Sequence, residues 1–315
     1  MKRKVVKHGP STLTISLPSK WVKENSIKNG DELEISQENS NLIISNKFLK
    51  NEKEISVNFT NFESERYIRT TLGKIYRHGY TKINVTFDKP EIMKKIKSSV
   101  NFLIGADIIE SDINNFKIRI FPLSETELNF DKSLIKMLLT LKYIFEVIKD
   151  DVQKNKFESL ETIDELRHNN WRLKDFILRK AYEEKISYEE YNVLCHLTFC
   201  YEKIGSKVIG FYKRYLTKLN TVKHNKKLIP VLDKTIYFLD WLITKSSSKK
   251  PITIEDESKF RNEILRFNIY LFNELHLDKN IDHASLTIIY FTSELLDSTV
   301  SYLQIYKNNN LKFVS

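Results

Sequence analysis

The sequence predicts an α+β chain of several domains: a small β-rich opening, an α/β middle and an all-helical second half. Three patterns predict this. Up to Ser45, apolar and polar residues alternate on either side of tight turns; from 54 to 121 the order reads β-α-β-α-β-β; beyond Ser124 strand signals stop and apolar positions recur at helical spacing. A chain of 315 residues has room for two or three domains. The boundaries fall at 1–48, 49–122 and 123–315, and the last part divides near Asn220–Asn225 into two halves, 123–220 and 221–315.

The opening begins with a short basic strand that reaches Gly9-Pro10-Ser11-Thr12. An alternating strand follows, with Leu13, Ile15 and Leu17 apolar and Thr12, Thr14 and Ser16 polar. Pro18 is placed to begin a helix, where the absence of an N–H costs nothing. Asn29-Gly30-Asp31 makes the next turn, and Leu33/Ile35 and Leu42/Ile44 alternate in two more strands. Each strand thus has one face to bury. A unit of roughly 45 residues rarely buries enough surface to fold alone, so the simplest solution is a two-fold dimer in which two copies share one core.

The runs Lys7–Thr12, Ile15–Trp21 and Ile27–Ile35 resemble the AbrB/MazE/SpoVT swapped-hairpin family. The resemblance implies a dimeric, interlaced β-barrel that binds DNA. Charge points the same way. Residues 1–28 hold seven bases against Glu24, a net +6 of the chain's +10. A dimer would join two such patches on one small surface, which favours phosphate contact. The DNA-contact residues expected are Lys2, Arg3, Lys4, Lys7, Ser11, Thr12 and Lys20. The lysines serve phosphates as point charges, so base readout rests on Arg3, Ser11, Thr12 or DNA shape.

In the middle, Ile55–Phe59 and Ile83–Phe87 read as strands, Ser64–Arg77 and Pro90–Leu103 as helices, and Ala106–Glu110 and Phe116–Phe121 as two final strands. Gly79 and Gly105 stand where a helix must stop. His78 beside Arg77 reads as a helix C-terminal charge rather than a catalytic base. No set of nucleophile, base and orienting group can be assembled, so the chain is not expected to be an enzyme.

Six helices are expected in the second half, at 127–151, 157–184, 187–217, 230–246, 255–277 and 282–307. Leu197, Cys200, Ile204 and Ile209 align with Ile288, Phe291, Leu295 and Val300 at a constant offset of 91, as in an internal repeat. Phe199–Ser206 and Phe291–Asp297 resemble the paired third helices of the PhoU family. That resemblance implies two three-helix bundles and a carboxylate pair, four residues apart, that binds a divalent or iron metal ion. The first copy keeps Glu202 with Ser206 opposite, and the second keeps Asp297 behind Ser293. Glu202 and Asp297 are therefore the metal candidates, and one carboxylate per site undercuts hard-cation binding. Glu161, Asp164 and Glu165 read as a solvated face. Cys195 and Cys200 read as buried free thiols in a reducing cytoplasm, and no apolar run is long enough to cross a membrane.

The three parts in this order resemble archaeal PhoU-type regulators that begin with a SpoVT/AbrB domain. The resemblance implies a cytoplasmic, homodimeric DNA-binding regulator of phosphate uptake with a helical sensor half. The alternative is an adaptor on a phosphate transporter or histidine kinase, with the opening serving only to dimerise. An antitoxin-like module is a third reading.

Overall fold

The computed structural model describes residues 2–38, 41–45, 52–61, 64–122, 130–184, 186–213, 222–248, 250, 252–275 and 299. They fall in two compact units, one ending at Glu52 and one beginning at Lys53.

The first unit is made of two antiparallel hairpins and a short helix. Strands β1 (Val5–His8) and β2 (Thr12–Ile15) pair across Gly9-Pro10-Ser11, where Gly9 takes φ +79°. Helix α1 (Ser19–Glu24) follows. Pro18 is not its first helical residue, as the sequence predicts, but its N-cap. Its backbone is extended (ψ 125°), and its carbonyl accepts from Val22 N–H at 2.9 Å. Gly30, at φ +93°, turns the chain inside a Lys28–Asp31 loop that Asp31 closes by accepting from Lys28 N–H at 2.7 Å. Strands β3 (Glu34–Glu38) and β4 (Asn41–Ser45) then pair with Ile35 opposite Ile44.

The second unit starts with a mixed sheet of β5 (Glu54–Asn58), β6 (Lys82–Thr86), β7 (Ala106–Ser111) and β8 (Asn115–Ile120), in the order β5-β6-β8-β7. The β5/β6 pair is parallel, so it needs a crossover, and α2 (Glu65–Arg77) supplies it. Ser64 caps that helix by accepting from Tyr67 N–H, and Ile68, Leu72, Ile75 and Tyr76 line its buried stripe. Helix α3 (Pro90–Val100) begins on Pro90 and buries Ile92, Ile96 and Val100. Both helices cover one sheet face, built on Ile83, Val85, Phe116, Ile118 and Ile120. The opposite face carries Lys82, Asn84, Lys117 and Arg119, and Lys117 pairs there with Glu110 at 2.5 Å.

Five helices follow among the described residues: α4 (Phe130–Lys154), α5 (Leu160–Glu183), α6 (Tyr188–Phe211), α7 (Val222–Ser247) and α8 (Ile254–Leu275). One apolar core runs through them, with Leu134, Leu141, Ile148, Ile177, Leu197, Val208, Leu232, Phe238 and Phe260 among its members. Ser187 and Glu190 form a full capping box at the start of α6. The expected sixth helix, 282–307, lies outside the described residues apart from Thr299, whose hydroxyl meets Tyr201 Oη at 2.8 Å. The second repeat positions, with Ser293 and Asp297, also lie outside them.

One sequence expectation is overturned here. The helix expected to start at Pro230 starts at Val222, and Pro230 sits inside it, exposed. Its ring removes a backbone hydrogen bond and presses on the preceding turn, at a cost of about 3 kcal/mol. Burial of Leu228, Val231 and Leu232 on the same stretch, each worth ~1.5–3 kcal/mol, outweighs that. Pro230→Ala is accordingly expected to stabilise the protein by about 1–3 kcal/mol, read as a higher urea midpoint. An unchanged midpoint would mean that the helix relaxes fully around the proline. The two cysteines are also less buried than expected: neither forms a disulfide among the described residues, and both are only partly buried.

Candidate nucleic-acid interface

In the β1/β2 hairpin, directly opposed residues share a face. The register sets Val5 against Ile15 and Lys7 against Leu13, so one face carries Val5, Lys7, Leu13 and Ile15. Val6 lies against Thr14 and His8 against Thr12 on the other, and Thr14 Oγ1 donates to Val6 O at 3.2 Å.

The residues expected to contact DNA therefore separate. Lys2, Arg3 and Lys4 form an exposed lead-in ahead of β1. Lys7 stands at the turn end of the apolar face, Ser11 lies in the turn, and Thr12 opens β2 on the opposite face. All are exposed, and the hairpin brings Lys7, Ser11 and Thr12 to one end. Lys20 belongs to α1 instead, where it pairs with Glu24 at 3.8 Å on a fully wet surface; such a pair is worth little. His8, exposed beside Gly9 and opposite Thr12, joins the same hairpin end. The sequence offered only one signal for it, its place next to the turn.

The apolar faces of the two hairpins are uncovered in a single chain. Val5 is 62% exposed, Leu13 69%, Ile15 53%, Ile35 63% and Leu42 72%. No residue from 2 to 45 whose side chain is described is buried.

Residues 6–47 match the family model described as antidote-toxin recognition MazE, bacterial antitoxin. The chain opens on a MazE-like domain. Lys7, Ser11, Thr12 and Lys20 lie inside the matched stretch, whereas Lys2, Arg3 and Lys4 precede it. No curated protein and no solved structure matches the chain.

The metal candidate in the second unit has a different partner. Glu202 accepts from Ser206 Oγ at 3.0 Å and lies 3.6 Å from the Lys174 ammonium, which is almost wholly buried. Burial pulls the Lys174 pKa down, while Asp175 and Glu202 oppose that pull. Its ammonium also lies over the Phe199 ring at 4.6 Å. A lysine thus stands beside the carboxylate that a cation would need, and this donor set does not fit a hard metal ion. Among the described residues no group of three or more His, Cys, Asp or Glu side chains could hold one. Asp164, expected on a solvated face, instead takes both Nε and Nη2 of Arg167, at 2.8 and 2.6 Å. His78 is bound at Nδ1 to Lys74 O at the end of α2, the terminal position expected for it. Among the described residues no helix is long and apolar enough to cross a membrane.

Proposed function

We propose that the chain is a cytoplasmic DNA-binding transcriptional regulator that works as a homodimer, the two opening segments interlacing into one swapped-hairpin barrel. One conjunction supports this reading. A MazE-like segment with no buried side chain among those described leaves apolar residues uncovered, and seven bases crowd the first 28 residues. Pairing two copies covers the first and doubles the second.

The test is binding of the full chain to the genomic DNA fragments that co-purify with it. Changing Lys2, Arg3, Lys4 and Lys7 together to alanine is expected to weaken binding at least 100-fold. It should also flatten the salt dependence, since each lost phosphate contact removes ~0.9 from the slope. Unchanged affinity and slope would refute the patch.

The finer reading makes the second unit a sensor or partner-binding half for phosphate homeostasis, or an adaptor face for a transporter or signalling protein. It is supported by the likeness of Phe199–Ser206 to PhoU helices. A second reading, an antitoxin that masks a small toxic protein, is favoured by the description of the matched family. Co-purification of such a protein at equal stoichiometry, with no bound DNA, would select it.

A further inference from the structure

We propose that Arg69 and Arg167, gathered at Trp171, form a binding site for a dianionic oxyanion, with phosphate as its simplest representative. The inference concerns the second unit alone and holds whichever reading of the opening segment is right.

Arg69 projects from α2 with its guanidinium 4.0 Å from the centre of the Trp171 ring and 5.3 Å from that of Phe102, which follows α3. Its Nε is shielded from solvent and has no hydrogen-bond acceptor among the described residues. The two nearest carboxylates are committed elsewhere. Glu65 accepts from Ser98 Oγ at 3.2 Å, and Asp164 is held by Arg167. Arg167 brings a second guanidinium to the same indole, 5.4 Å from its centre. Its Nη2 lies 2.6 Å from His168 Nε2, which accepts there when the imidazole proton is on Nδ1. His168 packs edge-on against Phe102, at 4.9 Å between ring centres, and lies parallel to Trp171.

Aromatic faces hold a guanidinium by attraction to the ring but satisfy none of its N–H groups. Arginine is a planar fork whose natural complement is an oxyanion bound through two parallel hydrogen bonds. Here Arg69 and Arg167 share one indole, and because Asp164 already takes Nε and Nη2 of Arg167, the donor left without an acceptor is Arg69 Nε. Burial lowers the pKa of Arg69, with Arg167 and Arg66 adding to the effect and Glu65 and Asp164 opposing it. An arriving dianion would offset that repulsion, and the rings would fix the fork that receives it. The site joins α2 and the end of α3 to α5, so occupancy would tighten the α/β layer against the helices.

The experiment is calorimetric titration of the full chain with inorganic phosphate, with acetate as a monoanion for comparison. Phosphate is expected to bind and acetate to bind at least tenfold more weakly. Arg69→Gln and Arg69→Lys should each weaken phosphate at least tenfold, because a lysine restores the charge but not the fork. The variant lacking Lys2, Arg3, Lys4 and Lys7 should bind phosphate as the parent does. If Arg69→Gln fails to fold, Arg167→Gln replaces it with the same expectation. Absence of phosphate binding, binding that survives both arginine changes, or binding lost with the opening lysines would each overturn the proposal.

Discussion

Asp175→Ala is expected to destabilise the 53–315 unit by about 3–5 kcal/mol, the range seen when one member of a buried ion pair is removed. Asp175 receives Arg77 Nη1 at 2.6 Å across the seam between α5 and α2, with side chains only 12% and 16% exposed. Lys174 Nζ lies 3.9 Å from the same oxygen, Asp175 Oδ1, so the carboxylate faces two cations. Without it, both cations stay largely desolvated and lose a partner, and that penalty outweighs the Coulomb energy of the pair itself. Gly73 makes the contact possible. A Cβ there would come 2.9 Å from Asp175 Oδ2, so only a residue without a side chain lets the carboxylate approach α2 so closely. One turn along α5, the same seam is fastened by Arg179, whose Nη1 donates to Tyr76 O and Tyr80 O, each at 2.8 Å. Urea unfolding of the full chain measures the cost. Arg77→Met added to Asp175→Ala should cost little further, because the two share one interaction. A change under ~0.5 kcal/mol for Asp175→Ala would place the pair among surface salt bridges, which contribute that little.

That seam was invisible in the sequence for a physical reason. Arg77 and Asp175 stand 98 residues apart, and hydrophobic period reports which face of a helix is buried, not which charged residues meet across it. The same limit hid the arginine pair at Trp171. Local chemistry was legible where one segment carries it all: Pro90 at a helix start, Gly79 and Gly105 at positive φ. Pro230 misled because a proline is read as punctuation, whereas burial on either side of it carries the helix through. The candidate interface was half legible. Alternation marked Leu13 and Ile15 as facing one way, but only the hairpin register, set across Gly9-Pro10-Ser11, decides that Lys7 lies opposite Leu13 and Thr12 on the other face.

Leu13→Glu is expected to turn a dimer at micromolar concentration into a monomer, weakening association at least 1,000-fold, or about 4 kcal/mol. Five of the exposed apolar residues of the opening segment, Val5, Leu13, Ile15, Ile35 and Leu42, would each contribute ~1.5–3 kcal/mol on burial, roughly 20 kcal/mol gross for two copies. That exceeds the ~4–15 kcal/mol lost in freedom on association, though not by a wide margin. A two-fold interface counts every substitution twice. Two glutamates placed in a closed apolar core cost several kcal/mol each, so one change removes the surplus. Lys20→Glu is the control. It alters charge on a side chain 89% exposed on α1 and should leave the mass in solution that of a dimer. Sedimentation of the three proteins decides the matter: a dimeric Leu13→Glu chain, or a parent that is monomeric at micromolar concentration, would sink the shared-core reading. The variant without Lys2, Arg3, Lys4 and Lys7 completes the argument, since it should remain a dimer while losing DNA. Association and phosphate contact then prove to be properties of separate residues on one small segment, and loss of DNA binding by Leu13→Glu follows from halving the charge that meets the duplex.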